Sequence, residues 1–266
     1  MSNMNRVKSK NLVILEKEED VSLINLNDKD SFNSLSEDLL KELLAALNKA
    51  DKDDSTRVII LKGAGRGFSA GHNLKEIQLN QDESFYRNLM DTSKKVMSIL
   101  PKLKKPVIAE VHGVATAAGC QLVAACDLAY ADEESKFATP GVNIGLFCHT
   151  PLVSVSRTIA RKHSMEMLLL GELISASDAK RFGLINDTFK IEDLHTRVMR
   201  IAKTISSKSA YVLKLGKETF YSQLNMSLEE AYEYATERMI LNLEAKDAKE
   251  GIDAFLEKRN PEWKNS

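Results

Sequence analysis

Three cysteines in 266 residues, Cys120, Cys126 and Cys148, are an odd number with no C-x-x-C pair, which fits a reducing compartment better than a disulfide scaffold. The first two read as buried neutral thiols. The five histidines, His72, His112, His149, His163 and His195, share no ligand spacing with one another or with the cysteines, so no metal site is expected. Long apolar runs are missing as well: nothing approaches the ~18 residues a membrane helix needs. An excess of one charge is absent too, with 37 Lys and Arg against 38 Asp and Glu, so no global field favours nucleic acid or an anionic membrane. Met1 to Lys10 is polar and basic but too short for a signal or transit peptide, and a soluble cytoplasmic protein is expected. No internal repeat or low-complexity segment is visible.

What is present is enough apolar residue, 43%, to bury a sizeable core in one domain or a domain with an appendage. The chain is organised around Lys105 to Asp127. Val107, Ile108, Ala109 and Val111 read as a short buried strand, Gly113 to Thr116 as a turn, and Ala117-Ala118-Gly119 as the opening of a helix carrying Leu122, Val123 and Cys126. Such a helix start leaves backbone N–H groups unpaired, and with the aligned peptide dipoles they suit an anion or a polarised carbonyl. Small residues there also serve close packing, and this stretch alone leaves both open.

A second stretch adds to it. Val58 to Leu61 is another buried strand, and it runs into the glycine-spaced loop from Lys62 through Phe68-Ser69-Ala70-Gly71-His72-Asn73-Leu74-Lys75-Glu76. The loop has neither the P-loop spacing nor the G-x-G-x-x-G fingerprint, which excludes nucleotide-phosphate chemistry of those kinds.

Strand and F-S-A-G-H-N-L-K-E loop, followed about forty residues later by strand and H-G-V-A-T-A-A-G-C-Q-L-V-A-A-C-D helix, is a specific pairing. It resembles the crotonase, or enoyl-CoA hydratase/isomerase, superfamily over nearly the whole chain, from Leu26-Asn27 to Pro261-Glu262-Trp263. The resemblance implies an α/β fold, a crotonase-like spiral of β-β-α units over residues 1–200. It implies a C-terminal helical oligomerisation region over 201–266 that builds a homotrimer, often doubled to a hexamer. The implied partner is an acyl-CoA small molecule, as substrate or ligand, with no separate cofactor.

The resemblance also assigns residues. The backbone N–H groups of His72 and Ala118 correspond to an oxyanion hole, two donors aimed at an enolate-like thioester oxygen. Ala70 and Leu74 correspond to residues against the adenine and the thioester arm, Lys75 to a basic residue near the phosphates, and Ser31-Phe32 to backbone on the adenine side. The two carboxylates that hydratases place across the double bond fall on Gln121 and Gly141. Gln121 cannot take a proton near neutral pH, and Gly141 has no side chain at all. Hydration by the usual pair, or isomerisation by one carboxylate at the second position, is therefore not expected.

His149 is the candidate substitute base, at the expected mouth of the acyl pocket. Cys148 beside it would be a nucleophile only with a lowered pKa. Decarboxylation and thioester hydrolysis stay open, decarboxylation because it needs the hole more than an acid and base. The alternative is a non-catalytic acyl-CoA-binding protein. Glu110, Asp127 and Asp132 read as structural.

Along the rest of the chain, Asn11 to Glu18 and Val21 to Leu26 form an expected strand pair, and Ser36 caps a helix to about Lys52. Glu83 to Leu100 is a helix, Leu128 to Ala131 and Lys136 to Ala138 are strands, and from Thr150 onward the pattern is almost wholly helical, interrupted at Gly183-Leu184-Ile185. The Met-bearing helix Ser227 to Leu243 packs within the chain or across an interface; the resemblance favours the interface.

Overall fold

The computed structural model describes residues 11–266, and the reading of Met1 to Lys10 lies outside the described residues. β1 (Val13–Glu18) and β2 (Val21–Leu26) are the expected antiparallel pair. α1 (Glu37–Lys52) begins where Ser36 Oγ accepts the Leu39 N–H, and its leucine stripe is buried at Leu39, Leu40, Leu43 and Leu47. The chain continues through β3 (Val58–Gly63), α2 (Leu74–Leu79), α3 (Glu83–Ile99), β4 (Val107–Val111), β5 (Val114–Thr116), α4 (Ala118–Ala125), β6 (Leu128–Asp132) and β7 (Lys136–Ala138). It ends with α5 (Pro151–Thr158), α6 (Arg161–Leu170), β8 (Ile174–Ser175), α7 (Ala176–Phe182), β9 (Asp187–Phe189), α8 (Ile191–Ser206), α9 (Ala210–Gln223), α10 (Leu228–Glu244) and α11 (Lys246–Glu257).

Two sheets result. The larger has the order β1-β2-β3-β4-β6-β9, parallel from β2 onward, and the smaller has the order β5-β7-β8. Strand alternation sorts the apolar side chains into two layers. Ile24, Leu26, Ile59, Leu61, Val107, Ala109 and Val111 join α1, α3 and α4 in the main core. Val21, Leu23, Val58, Ile60 and Ile108 point the other way, onto Leu194, Val198, Met199 and Ala202 of α8. A boundary between residues 200 and 201 thus falls inside α8, a helix that covers one face of the sheet.

Two expectations are corrected. Val114–Thr116 is a strand rather than a turn: Val114 O accepts the Phe68 and Ser69 N–H groups while β5 pairs in parallel with β7, so neighbours on both sides hold three residues extended. The helical half also contains β8 and β9, two and three residues long, too short for any periodicity to reveal. α7 ends at left-handed Gly183, and the chain then adds β9 to the sheet edge beside β6.

Asp127, just beyond α4, accepts the Val107 N–H at 2.7 Å, Lys217 Nζ at 2.6 Å and the Tyr221 hydroxyl at 2.8 Å. Lys217 also donates to the carbonyls of Leu100 and Lys105, so α9 is fastened to the core by one nearly buried cation. α10 buries none of its residues.

Candidate active site

The loop after β3 is folded by backbone contacts and one side chain. Asn33 is fully buried at φ +52°, and its Nδ2 donates to the carbonyls of Ala64 at 2.9 Å, Gly67 at 2.8 Å and Phe68 at 3.2 Å. Ser69 Oγ returns a bond to Asn33 O at 2.9 Å, and Ala70 N donates to Phe32 O at 3.0 Å. The segment 31–35 and the loop are therefore one unit. Asn33 was missed by the sequence reading; the only signal was an asparagine beside Phe32, in a segment already matched for its backbone.

That unit locks onto the start of α4. Thr116 N donates to Ser69 O at 2.9 Å, Thr116 Oγ1 donates to Ala70 O at 3.1 Å, and Leu35 N donates to Gly71 O at 2.8 Å. Gly71 has φ +87°, and a Cβ there would sit 2.8 Å from Ala117 Cβ and 3.1 Å from Ala118 N. A Cβ at Gly119 would lie 2.3 Å from Ser69 O, so the room left by this glycine is filled by the loop. Close packing is thus the reason for the small residue at 119. Ala117 itself is held at φ +50°, ψ −119°, a conformation an L-residue keeps only when its surroundings impose it. Its N–H donates to Ala138 O at 2.9 Å, and the Gln121 N–H closes the first helical turn on Ala117 O.

The N–H groups of His72 and Ala118 are thereby brought to the same junction, and neither has a hydrogen-bond partner among the described residues. The His72 ring turns away to α3, with Nε2 3.1 Å from Ser93 Oγ, and burial pushes its pKa down to about 4. It is a neutral imidazole at neutral pH.

Phe32 and Ala70 meet through their backbones, while Ser31 is tied to Asp28 and also accepts the Ser34 N–H. Leu74 and Lys75 open α2, whose cap is Asn73, and both are exposed. The Arg66 guanidinium lies 4.5 Å over the Phe32 ring, which puts on this rim a cation that the sequence reading did not single out.

The two positions matched to the carboxylates, Gln121 and Gly141, are both buried. Gln121 is 5% exposed, and its Oε1 has no hydrogen-bond partner. A Cβ at Gly141 would lie 2.8 Å from Leu146 O and 3.0 Å from Cys148 Sγ, so the turn 146–148 takes up the space where a side chain would start. Cys148 is buried and its thiol is shifted upward by that burial, which rules out the lowered pKa a nucleophile there would need. Cys120 and Cys126 are buried thiols, as expected, and burial pushes Cys120 up to about 12. His149 is exposed, its ring 5.3 Å from that of Phe147.

The three carboxylates set aside earlier have structural partners. Glu110 Oε2 is 2.9 Å from His195 Nδ1 on α8, Asp127 holds Lys217, and Asp132 accepts the Gly113 and Glu134 N–H groups.

The family model for enoyl-CoA hydratase/isomerase matches residues 16–266. The chain is 44% identical to the mitochondrial enoyl-CoA hydratase domain-containing protein 3 of Xenopus laevis over 96% of this chain and 87% of that protein. It is 47% identical to the human protein of the same name over 87% of this chain and 76% of that one. Among solved structures, an enoyl-CoA hydratase of Mycobacterium smegmatis superposes with a TM-score of 0.93 at 42% identity, covering 96% of this chain and 99% of that one. Human enoyl-CoA hydratase domain-containing protein 3 superposes with a TM-score of 0.92, also at 42% identity, covering 95% and 100%. These relatives are named as mitochondrial, which tells against the cytoplasmic expectation. The relation of sequence and fold together places this chain in the enoyl-CoA hydratase/isomerase family, with the crotonase-type α/β architecture and C-terminal helices.

Proposed function

We propose that the protein binds an acyl-CoA thioester and polarises its carbonyl with the N–H groups of His72 and Ala118, without hydrating it through paired carboxylates. The observation that supports this reading is the close approach of the loop to α4, where a Cβ at Gly71 would lie 3.1 Å from Ala118 N and where neither the His72 nor the Ala118 N–H has a hydrogen-bond partner among the described residues. Donors fixed in advance at a developing oxyanion typically contribute ~10²–10³ each in rate. Ser31, Phe32, Ala70 and Leu74 form the adenine and thioester side, and Lys75 with Arg66 supplies positive charge for the phosphates.

Gln121 and Gly141 supply no acid or base. His149 is the alternative that the sequence offers, and it is exposed. The apolar residues displayed by α10 and α11, including Tyr232, Met239, Ile240, Phe255 and Leu256, support assembly into a homotrimer or a hexamer.

The test is a panel of crotonyl-, methylmalonyl-, acetyl- and octanoyl-CoA, followed by thermal shift and product mass. Stabilisation without hydrated crotonyl product is expected. Product that vanishes in His149→Ala would establish a relocated base, and stabilisation without any product would leave a binding protein. No stabilisation by any thioester overturns the proposal.

A further inference from the structure

Many surface cations of the chain are matched by carboxylates, such as Lys17 by Asp53, Lys180 by Asp187 and Lys203 by Glu19. Where β3 and β4 begin, they are not. Two adjoining cavities of about 740 and 390 Å³ open there, bounded by the segments leading into the two strands and by α9. Lys104 and Lys214 line both; Lys102 and Arg157 line the first, and Arg57 and Lys105 the second.

These six cations are left uncompensated by the fold. The four lysines make no side-chain hydrogen bond or ion pair among the described residues. The guanidinium groups use neutral acceptors: Arg57 donates to Asn265 Oδ1 and Lys208 O, and Arg157 to Val153 O. Two carboxylates share the lining. Glu218 is already paired with Arg238 at 2.8 Å, which leaves Asp54 against the six cations. Nearby Asp51 is turned to the main chain, its Oδ1 accepting the Lys104 and Lys105 N–H groups at 2.7 and 3.1 Å. Burial lowers the Lys105 pKa, and Arg57 and Lys104 push the same way against Asp51 and Asp54. With 37 basic and 38 acidic residues in the whole chain, this concentration of charge is local.

The lining limits what fits. Lysine ammonium groups are compact donors suited to phosphate oxygens, and cations spread over two joined cavities match several linked phosphates better than one isolated anion. The rest of the lining is apolar and aromatic, with Leu103 and Tyr221 in the first cavity and Pro106 and Tyr211 in the second. The Tyr221 ring is held in place by its hydroxyl bond to Asp127. Concavities of this size take a small molecule. β3 and β4 run parallel, so both cavities lie at the end of the sheet opposite the loop that leaves β3 for His72.

We propose that the joined cavities at the start of β3 and β4 are a binding site for a polyphosphate chain, free or carried by a nucleotide. This does not rest on the acyl-CoA reading. The experiment is calorimetric titration of the full chain with ATP, tripolyphosphate and adenosine. Three double variants are compared, Lys104→Glu with Lys214→Glu, Lys104→Gln with Lys214→Gln, and Arg66→Ala with Lys75→Ala, and melting temperatures are recorded for each.

ATP and tripolyphosphate are expected to bind and adenosine is not. The two glutamates should weaken binding about tenfold or more and the two glutamines less, because reversing a charge adds repulsion to the lost attraction. Lys104 and Lys214 are exposed, so melting temperatures should hold. The Arg66 and Lys75 pair should keep ATP affinity within about twofold, which separates this site from the rim proposed for the CoA phosphates. Tighter binding of ATP than of tripolyphosphate assigns a nucleotide, and equal binding assigns the bare chain. No binding of either phosphate compound, adenosine binding as well as ATP, or a loss seen in the Arg66 and Lys75 pair instead of the Lys104 and Lys214 pairs overturns the site.

Discussion

The His72 side chain does different work from its backbone. Burial against α3 holds the imidazole near pKa 4, below its ordinary 6.5, so the unfolded chain takes up a proton that the folded chain refuses. The associated stability is complete above about pH 6.5 and declines as pH falls toward 4, by roughly 3 kcal/mol in all. His72→Asn keeps the backbone N–H and removes the titration. Urea unfolding between pH 4 and 7 should therefore show a shallower loss for the variant, and parallel curves would mean that the ring is solvated when folded. The sequence revealed His72 and Ala118 through their motif, but it could not reveal which way the ring turns. That depends on Ser93, twenty-one residues away on another element. Asn33 escaped for the same reason, since a buried asparagine clamping three carbonyls looks like any polar loop residue until the fold brings them together.

Among the elements, α9 depends most on a single contact. Lys217 is nearly buried and bonds Asp127 and two carbonyls, while Asp127 also holds the Val107 N–H. Lys217→Met would leave that carboxylate enclosed without its cation, and breaking such a pair typically costs about 3–5 kcal/mol. Chemical denaturation should register a loss of that order; a loss below about 1 kcal/mol would mean that water reaches the carboxylate. The long amphipathic elements were readable because their period is set by their own residues: α1 and α3 fall within a few residues of the expected spans. β5, β8 and β9 were not, since each is a strand only because a distant segment pairs with it.

Over the whole molecule, α10 and α11 stand out for what they leave uncovered. α10 buries no residue, and Phe255 and Leu256 of α11 are 81% and 72% exposed. Light scattering is expected to give three or six times the 29.7 kDa chain mass, and Phe255→Glu with Leu256→Glu should reduce it to one. A single-chain mass for the unaltered protein would sink the oligomer reading.

Asn33 has a wider bearing. It fixes the loop through carbonyl groups, which every residue type possesses, and the junction with α4 is likewise built from main chain. The enclosed side chains of Gln121 and Thr139, whose Oε1 and Oγ1 have no partner, contribute no hydrogen bond through those atoms to that frame. They can be exchanged over generations while the frame persists, so a lineage can abandon one chemistry and take up another without refolding.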